Sequence, residues 1–118
     1  MALRFAVEDL EDFAVLIPSG RVDSVSARDL ESRLVRLIDT GKGRVVIDFS
    51  NIGYIGSGGI RVLMLIERRL AEHSGRLVLC CLPVLIARLF RIAEIEDMFT
   101  ILPTRDEAIA NLGGEPSG

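Results

Sequence analysis

The sequence predicts an α/β domain built on a mixed β-sheet, with elements in the order β-β-α-β-α-β-α-β-α. Three observations carry this. Short β-rich runs alternate with stretches whose apolar residues recur at helical spacing, the pattern of parallel strands joined by helical crossovers that pack on the sheet. Arg44 to Phe49 (RVVIDF) is a β-rich run bounded by Gly43 and Ser50, which reads as a buried central strand. Glu8, Asp9, Glu11 and Asp12 lie between the first two strands as a solvated turn, so these strands form the antiparallel part of the sheet.

Leu3 to Val7 and Phe13 to Ile17 read as those two strands, the second ended by Pro18, which cannot donate to a ladder. Asp23, Ser24 and Ser26 offer helix caps, and Ser26 with Asp29 fits a helix-start signal. Ala27, Leu30, Leu34, Leu37 and Ile38 then recur at helical spacing until Gly41. After the central strand, Asn51 to Gly59 reads as a loop holding four glycines, followed by a helix from Ile60 to His73. Arg76 to Cys81 is a further strand. Pro83 suits the first turn of a third helix running to about Ile92. Phe99 to Leu102 is the last strand, and Thr104 caps a short helix to about Leu112 with Glu107 at the capping-box position. Residues 1–112 thus read as one domain, and 113–118 as a frayed tail. No internal repeat or low-complexity segment interrupts the pattern.

At 118 residues, 49% apolar and 26% charged, the chain has the length and composition of one soluble domain with its own core. A net charge of −3 with scattered arginines excludes nucleic acid as the expected partner. The N-terminus has no secretory pattern, and the longest apolar stretch, Leu77 to Ala87, is too short to span a bilayer. The expected location is the cytoplasm, without membrane insertion. Cys80 and Cys81 are adjacent, and His73 is the single histidine. Buried strand thiols are the expected reading, with neither a disulfide nor a zinc site.

The segment IDFSNIGYIGSGGIRVL, Ile47 to Leu63, holds the chemistry. A buried strand leads into a glycine-rich loop that opens a helix, and a helix N-terminus stabilises a nearby phosphate. Ser57 lies at that junction between Gly56 and Gly58. The Walker pattern is absent. The dinucleotide pattern G-x-G-x-x-G fails because Arg61 stands where the last glycine belongs. A Ser–His pair fails on distance, because His73 lies across the whole helix, roughly 24 Å away against the ~3 Å needed. With no acid–base pair or metal constellation, no enzymatic activity and no cofactor are expected. Ser57 has two compatible readings, a helix N-cap and a modifiable switch.

Asn51 to Ile60 (NIGYIGSGGI) resembles the signature of STAS-domain anti-sigma factor antagonists, in which a serine at the strand–helix junction usually stands in Asp-Ser-Ser/Thr-Gly-Leu-Gly. Ser19 to Asp23 (SGRVD) resembles that family's Thr-Gly-Glu-Leu-Asp, and Leu82 to Ile92 resembles its third helix. The resemblance implies a STAS-like mixed sheet with helices packed mainly on one face. It also implies a partner switch. The unphosphorylated antagonist binds an ATP-dependent anti-sigma kinase, phosphorylation of the serine ends binding, and a serine phosphatase restores it. Ser57 matches the phosphoacceptor, Gly59 the following glycine and Asp23 the upstream acid. Gly56 stands in place of the family's Asp, Gly58 in place of the second hydroxyl residue, and Arg61 in place of a glycine. Arg61, four residues on, shares a helix face with Ser57 and is positioned to pair with a phosphate.

The expected partner surface therefore comprises Asp23, Gly56, Gly58, Gly59, Arg61, Met64, Ile86 and Phe90. On the third helix, Ile86 and Phe90 share one face while Leu85, Leu89 and Ile92 share another, and one of the two packs on the sheet. The alternative function is a STAS accessory subunit of a lipid or anion transport complex, without a phosphorylation switch.

Overall fold

A computed structural model describes residues 3–113. Its elements are β1 (Arg4–Asp9), β2 (Phe13–Val22), α1 (Ser26–Asp39), β3 (Arg44–Asp48), β4 (Ile52–Ile55), α2 (Ser57–Glu72), β5 (Arg76–Cys80), α3 (Val84–Ile92), a 3-10 turn (Glu96–Met98), β6 (Thr100–Leu102) and α4 (Arg105–Gly113). The six strands form one mixed sheet in the order β1-β2-β3-β5-β6, with β4 paired to β2. Only β1 and β2 are antiparallel. Residues 114–118 of the expected tail lie outside the described residues, while Gly113 belongs to the last helix.

Side-chain alternation divides the strands between two apolar layers. Ala14, Leu16, Val45, Ile47, Leu77 and Leu79 meet Leu30 and Leu34 of α1, Leu63 and Ile66 of α2, and Phe90 of α3. On the opposite face, Val15, Val46, Val78 and Cys80 meet Ala108 and Leu112 of α4. Three helices thus cover one face and one helix the other. Phe90 fixes α3 by an edge contact with Phe49, centroids 6.5 Å apart, and a tilted contact with Phe99 at 5.9 Å. Truncating such a buried ring costs about 3–5 kcal/mol.

The strand pattern departs from the sequence reading at three points. Glu8 and Asp9, expected in the turn, belong to β1 and pair with Val15 and Ala14. Ile52–Ile55 is a strand, not loop. β2 is ten residues long and does not end at Pro18. Its first part pairs with β3 through Leu16↔Ile47. Its last part pairs with β4 from Gly20↔Ile52 to Val22↔Ile55, after an irregularity at Gly20/Arg21. Pro18 falls in the gap, where β2 has left β3 and not yet met β4, so its missing N–H costs no ladder bond on that side. Gly20 takes φ +127 there, a conformation that favours glycine. The turn from β3 to β4 is set by Asp48, whose Oδ1 accepts the Ser50 N–H at 2.8 Å.

Among the described residues Asp48 is also one of the two buried polar ones. Its Oδ2 accepts from Arg105 Nε and Nη2 at 3.2 and 3.0 Å, and Arg105 Nη1 donates to Glu8 at 2.8 Å. One guanidinium therefore joins α4 to β3 and β1. At the end of β5 Cys80 is buried and Cys81 partly so. Burial pushes the Cys80 thiol up to about 12. Among the described residues no helix is long and apolar enough to cross a membrane.

Candidate functional site

The site forms where β2 and β4 run out and the N-termini of α1 and α2 meet. Gly56 is extended (φ −101, ψ −174) and donates its N–H to Val22 O at 2.9 Å, which ties the junction to the end of β2. Its own carbonyl accepts the Ile60 N–H at 3.1 Å. Gly56 is therefore the N-cap of α2, and Ser57 is the first helical residue. This corrects the reading of Ser57 as the cap and of the helix as starting at Ile60. The Ser57 side chain is exposed, and its hydroxyl makes no hydrogen bond among the described residues. It is free for chemistry without dismantling a cap, at the positive end of a 16-residue helix.

Asp23 caps the neighbouring helix. Its Oδ1 accepts the N–H groups of Val25 and Ser26 at 3.1 and 2.9 Å, and Ser26 Oγ accepts the Asp23 N–H at 2.9 Å. The exchange is reciprocal, as in a capping box, so Ser26 completes the cap rather than providing it. The Ser26 N–H and then its hydroxyl hold the Asp23 carboxyl below the usual carboxylate range. The anionic form is thus the one built into the helix start.

The glycines have different reasons. A Cβ at Gly59 would lie 2.6 Å from Val22 Cγ1 and 2.7 Å from Ile55 Cγ1. Gly59 is buried, so its contribution is close seating of α2 on the strand ends rather than contact with a partner. At Gly58 a Cβ would lie 3.4 Å from Ser24 Cα, ordinary contact between the two helix starts. At Gly56 it would lie 2.9 Å from Tyr54 Oη. The Tyr54 hydroxyl thus occupies the space beside Gly56, and the Arg21 guanidinium stacks 4.3 Å over the Tyr54 ring. Arg21 and Tyr54 face each other across the β2–β4 pairing and are both exposed. The sequence reading missed this pair because it missed β4, whose register against β2 is set by tertiary pairing and carries no local sequence signal.

Arg61 is exposed one turn beyond Ser57 and forms no ion pair among the described residues. Met64 is half-buried against the main core. Ile86 and Phe90 are 4% and 0% exposed, which removes them from any contact surface. The cause is the aromatic contact of Phe90 with Phe49 and Phe99, which turns that face of α3 to the sheet. The face left outside carries Val84, Leu85 and Ile92, each above 70% exposed, with Leu89 at 37%. His73 closes α2 at its far end, so no base approaches Ser57 from that residue.

The STAS domain family matches residues 4–108. BtrV of Bordetella bronchiseptica, which its name gives provisionally as an anti-sigma factor antagonist, is 31% identical over 108 residues. The match covers 92% of this chain and 93% of BtrV. Among solved structures, an anti-sigma factor antagonist from Mycobacterium paratuberculosis has a TM-score of 0.84 at 24% identity, over 95% of each chain. The Bacillus cell fate determinant SpoIIAA is 18% identical. Its unphosphorylated form has a TM-score of 0.73, covering 94% of this chain and 99% of that one. Its phosphorylated form has a TM-score of 0.69, covering 92% and 98%. The structural likenesses carry the fold. The family match and the sequence relative carry the descent, and on them the chain belongs to the STAS domain family.

Proposed function

We propose that this chain is a cytoplasmic anti-sigma factor antagonist that binds an ATP-dependent anti-sigma kinase and is released by phosphorylation of Ser57. The observation that carries the reading is the Ser57 hydroxyl: exposed, without a hydrogen bond, at the first residue of α2. Kinship with BtrV supports the assignment to antagonists.

The chain acts by binding, not by turnover. The kinase transfers the γ-phosphoryl group of ATP to Ser57 Oγ, ADP leaves, and the hydroxyl proton passes to a base of the kinase. The product carries about two negative charges at pH 7. They sit at the positive end of the helix dipole, one turn from Arg61, so the modified fold remains stable. The same charge and bulk disturb a docking surface formed by the Ser57 loop, Arg61, the exposed edge of Met64, the Asp23 turn and the outer face of α3. A penalty of about 1.4 kcal/mol already lowers affinity tenfold. A serine phosphatase reverses the change.

Wild-type, Ser57→Ala and Ser57→Asp proteins are used to capture partners from source-cell lysate. The expected result is an ATP-binding kinase held by wild type and Ser57→Ala but not by Ser57→Asp. With ATP, that kinase adds one phosphate to wild type and none to Ser57→Ala. Equal labelling of Ser57→Ala would overturn the assignment of the acceptor. Capture of the same transporter subunits by all three proteins would favour an accessory role in a transport complex.

A further inference from the structure

We propose that Cys80, Cys81 and Asp48 form a binding site for a thiophilic divalent cation of the zinc or cadmium type, on the sheet face covered by α4. In a regular strand, consecutive side chains point to opposite faces, which would hold two adjacent thiols apart. Here β5 ends at Cys80, and Cys81 takes φ +61. Non-glycine residues rarely adopt that left-handed conformation, and such outliers concentrate at functional positions. Its effect is to bring the Cys81 Sγ within 3.6 Å of the Cys80 Sγ. Both side chains join the apolar layer beneath α4.

The spacing suits a tetrahedral ion. With metal–sulfur bonds of about 2.3 Å, two sulfurs 3.6 Å apart subtend an angle of about 103°, near the tetrahedral value. A linear two-thiolate site would need them roughly 4.6 Å apart. The third ligand is an Asp48 oxygen, which lies within 4.8 Å of both sulfurs. Tetrahedral coordination needs about 3.6 Å between oxygen and sulfur, so a closure of about an ångström completes it. Asp48 is already oriented by the Ser50 N–H and Arg105, the outer partners a ligating carboxylate requires. Coordination replaces both thiol protons, which leave to solvent, and changes no oxidation state. Two thiolates, one carboxylate, the Arg105 guanidinium and the divalent ion then sum to zero charge, and Glu8 on the far side of Arg105 adds one exposed negative charge. Cys81 is partly exposed where Cys80 is buried, so the ion enters, and a fourth ligand attaches, from the Cys81 side. Among the described residues no other trio of His, Cys, Asp or Glu side chains converges in this way.

The test uses the full reduced chain and metal salts alone. Cadmium titration is followed by the thiolate-to-cadmium charge-transfer absorption, and native mass spectrometry counts bound zinc. The expected result is one ion per chain, with at least tenfold weaker binding in Cys81→Ser and in Cys80→Ala. Asp48→Asn keeps the absorption band but binds about tenfold more weakly. The double variant Cys80→Ala/Cys81→Ser sets the background from His73 and surface carboxylates. Wild type binding no tighter than that background, or Cys81→Ser binding as tightly as wild type, would overturn the proposal. Should Cys80→Ala fail to fold, Cys81→Ser decides: zinc raises the Tm of wild type and leaves the Tm of Cys81→Ser unchanged.

Discussion

Gly58 and Gly59 are neighbours in the first turn of α2, yet alanine should act on them with opposite sign. Gly→Ala in a helix gains up to about 1 kcal/mol from backbone entropy. At Gly58 nothing opposes this gain, because the new Cβ meets Ser24 Cα at 3.4 Å and Ala27 Cβ at 3.7 Å, both ordinary contacts. Gly58→Ala is therefore stabilising by about 0.5–1 kcal/mol. At Gly59 the Cβ would lie 2.6 Å from Val22 Cγ1 and 2.7 Å from Ile55 Cγ1. Both partners are buried, at 1% and 2% exposure, and have no free space to swing into. Overpacking of this kind costs about 1–3 kcal/mol, and contacts this short belong at the upper end. After subtracting the helical gain, Gly59→Ala loses about 1–2 kcal/mol. Urea unfolding measures both. With a slope of about 1–3 kcal/mol/M, the two midpoints separate by roughly 1 M, with wild type between them. A Gly59→Ala midpoint at or above wild type would refute the reasoning that close seating on Val22 and Ile55 requires glycine. So would a Gly58→Ala midpoint below wild type, for the mirror-image reason.

Other perturbations follow from the polar contacts. Arg105→Ala strands the Asp48 carboxylate and should cost about 1–3 kcal/mol, toward the lower end because the guanidinium is about one-third exposed. Burial pushes the Asp48 carboxyl up, but the Ser50 N–H and Arg105 outweigh it and hold the group below its ordinary value. The stabilisation is therefore full above about pH 4 and lost as pH falls through the lowered value, so thermal melts of wild type and Arg105→Ala converge in acid. Glu67 behaves in reverse: burial raises its carboxyl, partly offset by the Arg76 charge, and its Oε1 is buried without a partner. Glu67→Gln should then melt higher than wild type at pH 7, with the advantage disappearing below about pH 4, where the unfolded carboxyl is also protonated. Ser57→Ala should change unfolding free energy by less than about 0.5 kcal/mol. Ser57→Asp should gain about 0.3–1 kcal/mol at low salt from the helix dipole. A loss above about 1 kcal/mol for Ser57→Ala would restore its role as a cap.

How much was legible depended on whether the signal was local. Ala27, Leu30, Leu34 and Leu37 are all buried, as their helical spacing requires, and Thr104 accepts the Glu107 N–H as the capping box predicts. The central strand, Arg44–Asp48, is buried on both faces apart from its half-buried first residue. β4 was not legible, because four residues including Gly53 and an exposed Tyr54 carry no strand pattern of their own. They become a strand because β2 continues past Pro18 and offers an unpaired edge, a tertiary fact. Cap assignment at Ser57 failed for a related reason. Residue preference favours Ser over Gly at a cap, but the extended backbone of Gly56, pinned by Val22 O, decided the matter. On α3 both faces are apolar, and periodicity cannot choose between them. Phe90 between Phe49 and Phe99 chooses.

These placements separate stability from switching at the candidate site. Gly59 holds the helix start against the sheet two residues after Ser57, and the Ser57 side chain points away from that seat into solvent. A phosphate on Ser57 therefore has no buried contact to break and no cap to displace. It meets only free helix N–H groups, Arg61 and whatever docks against the surface. In the proposed function its effect must fall on the partner, not on the fold. Stability and binding should then part company across the same variants. Ser57→Asp should keep or raise the melting temperature while losing the kinase, and Gly59→Ala should lower it while keeping the hydroxyl available for phosphorylation. If binding loss instead tracked loss of stability across both variants, the switch would be conformational, and the exposed hydroxyl would not be the reason for it.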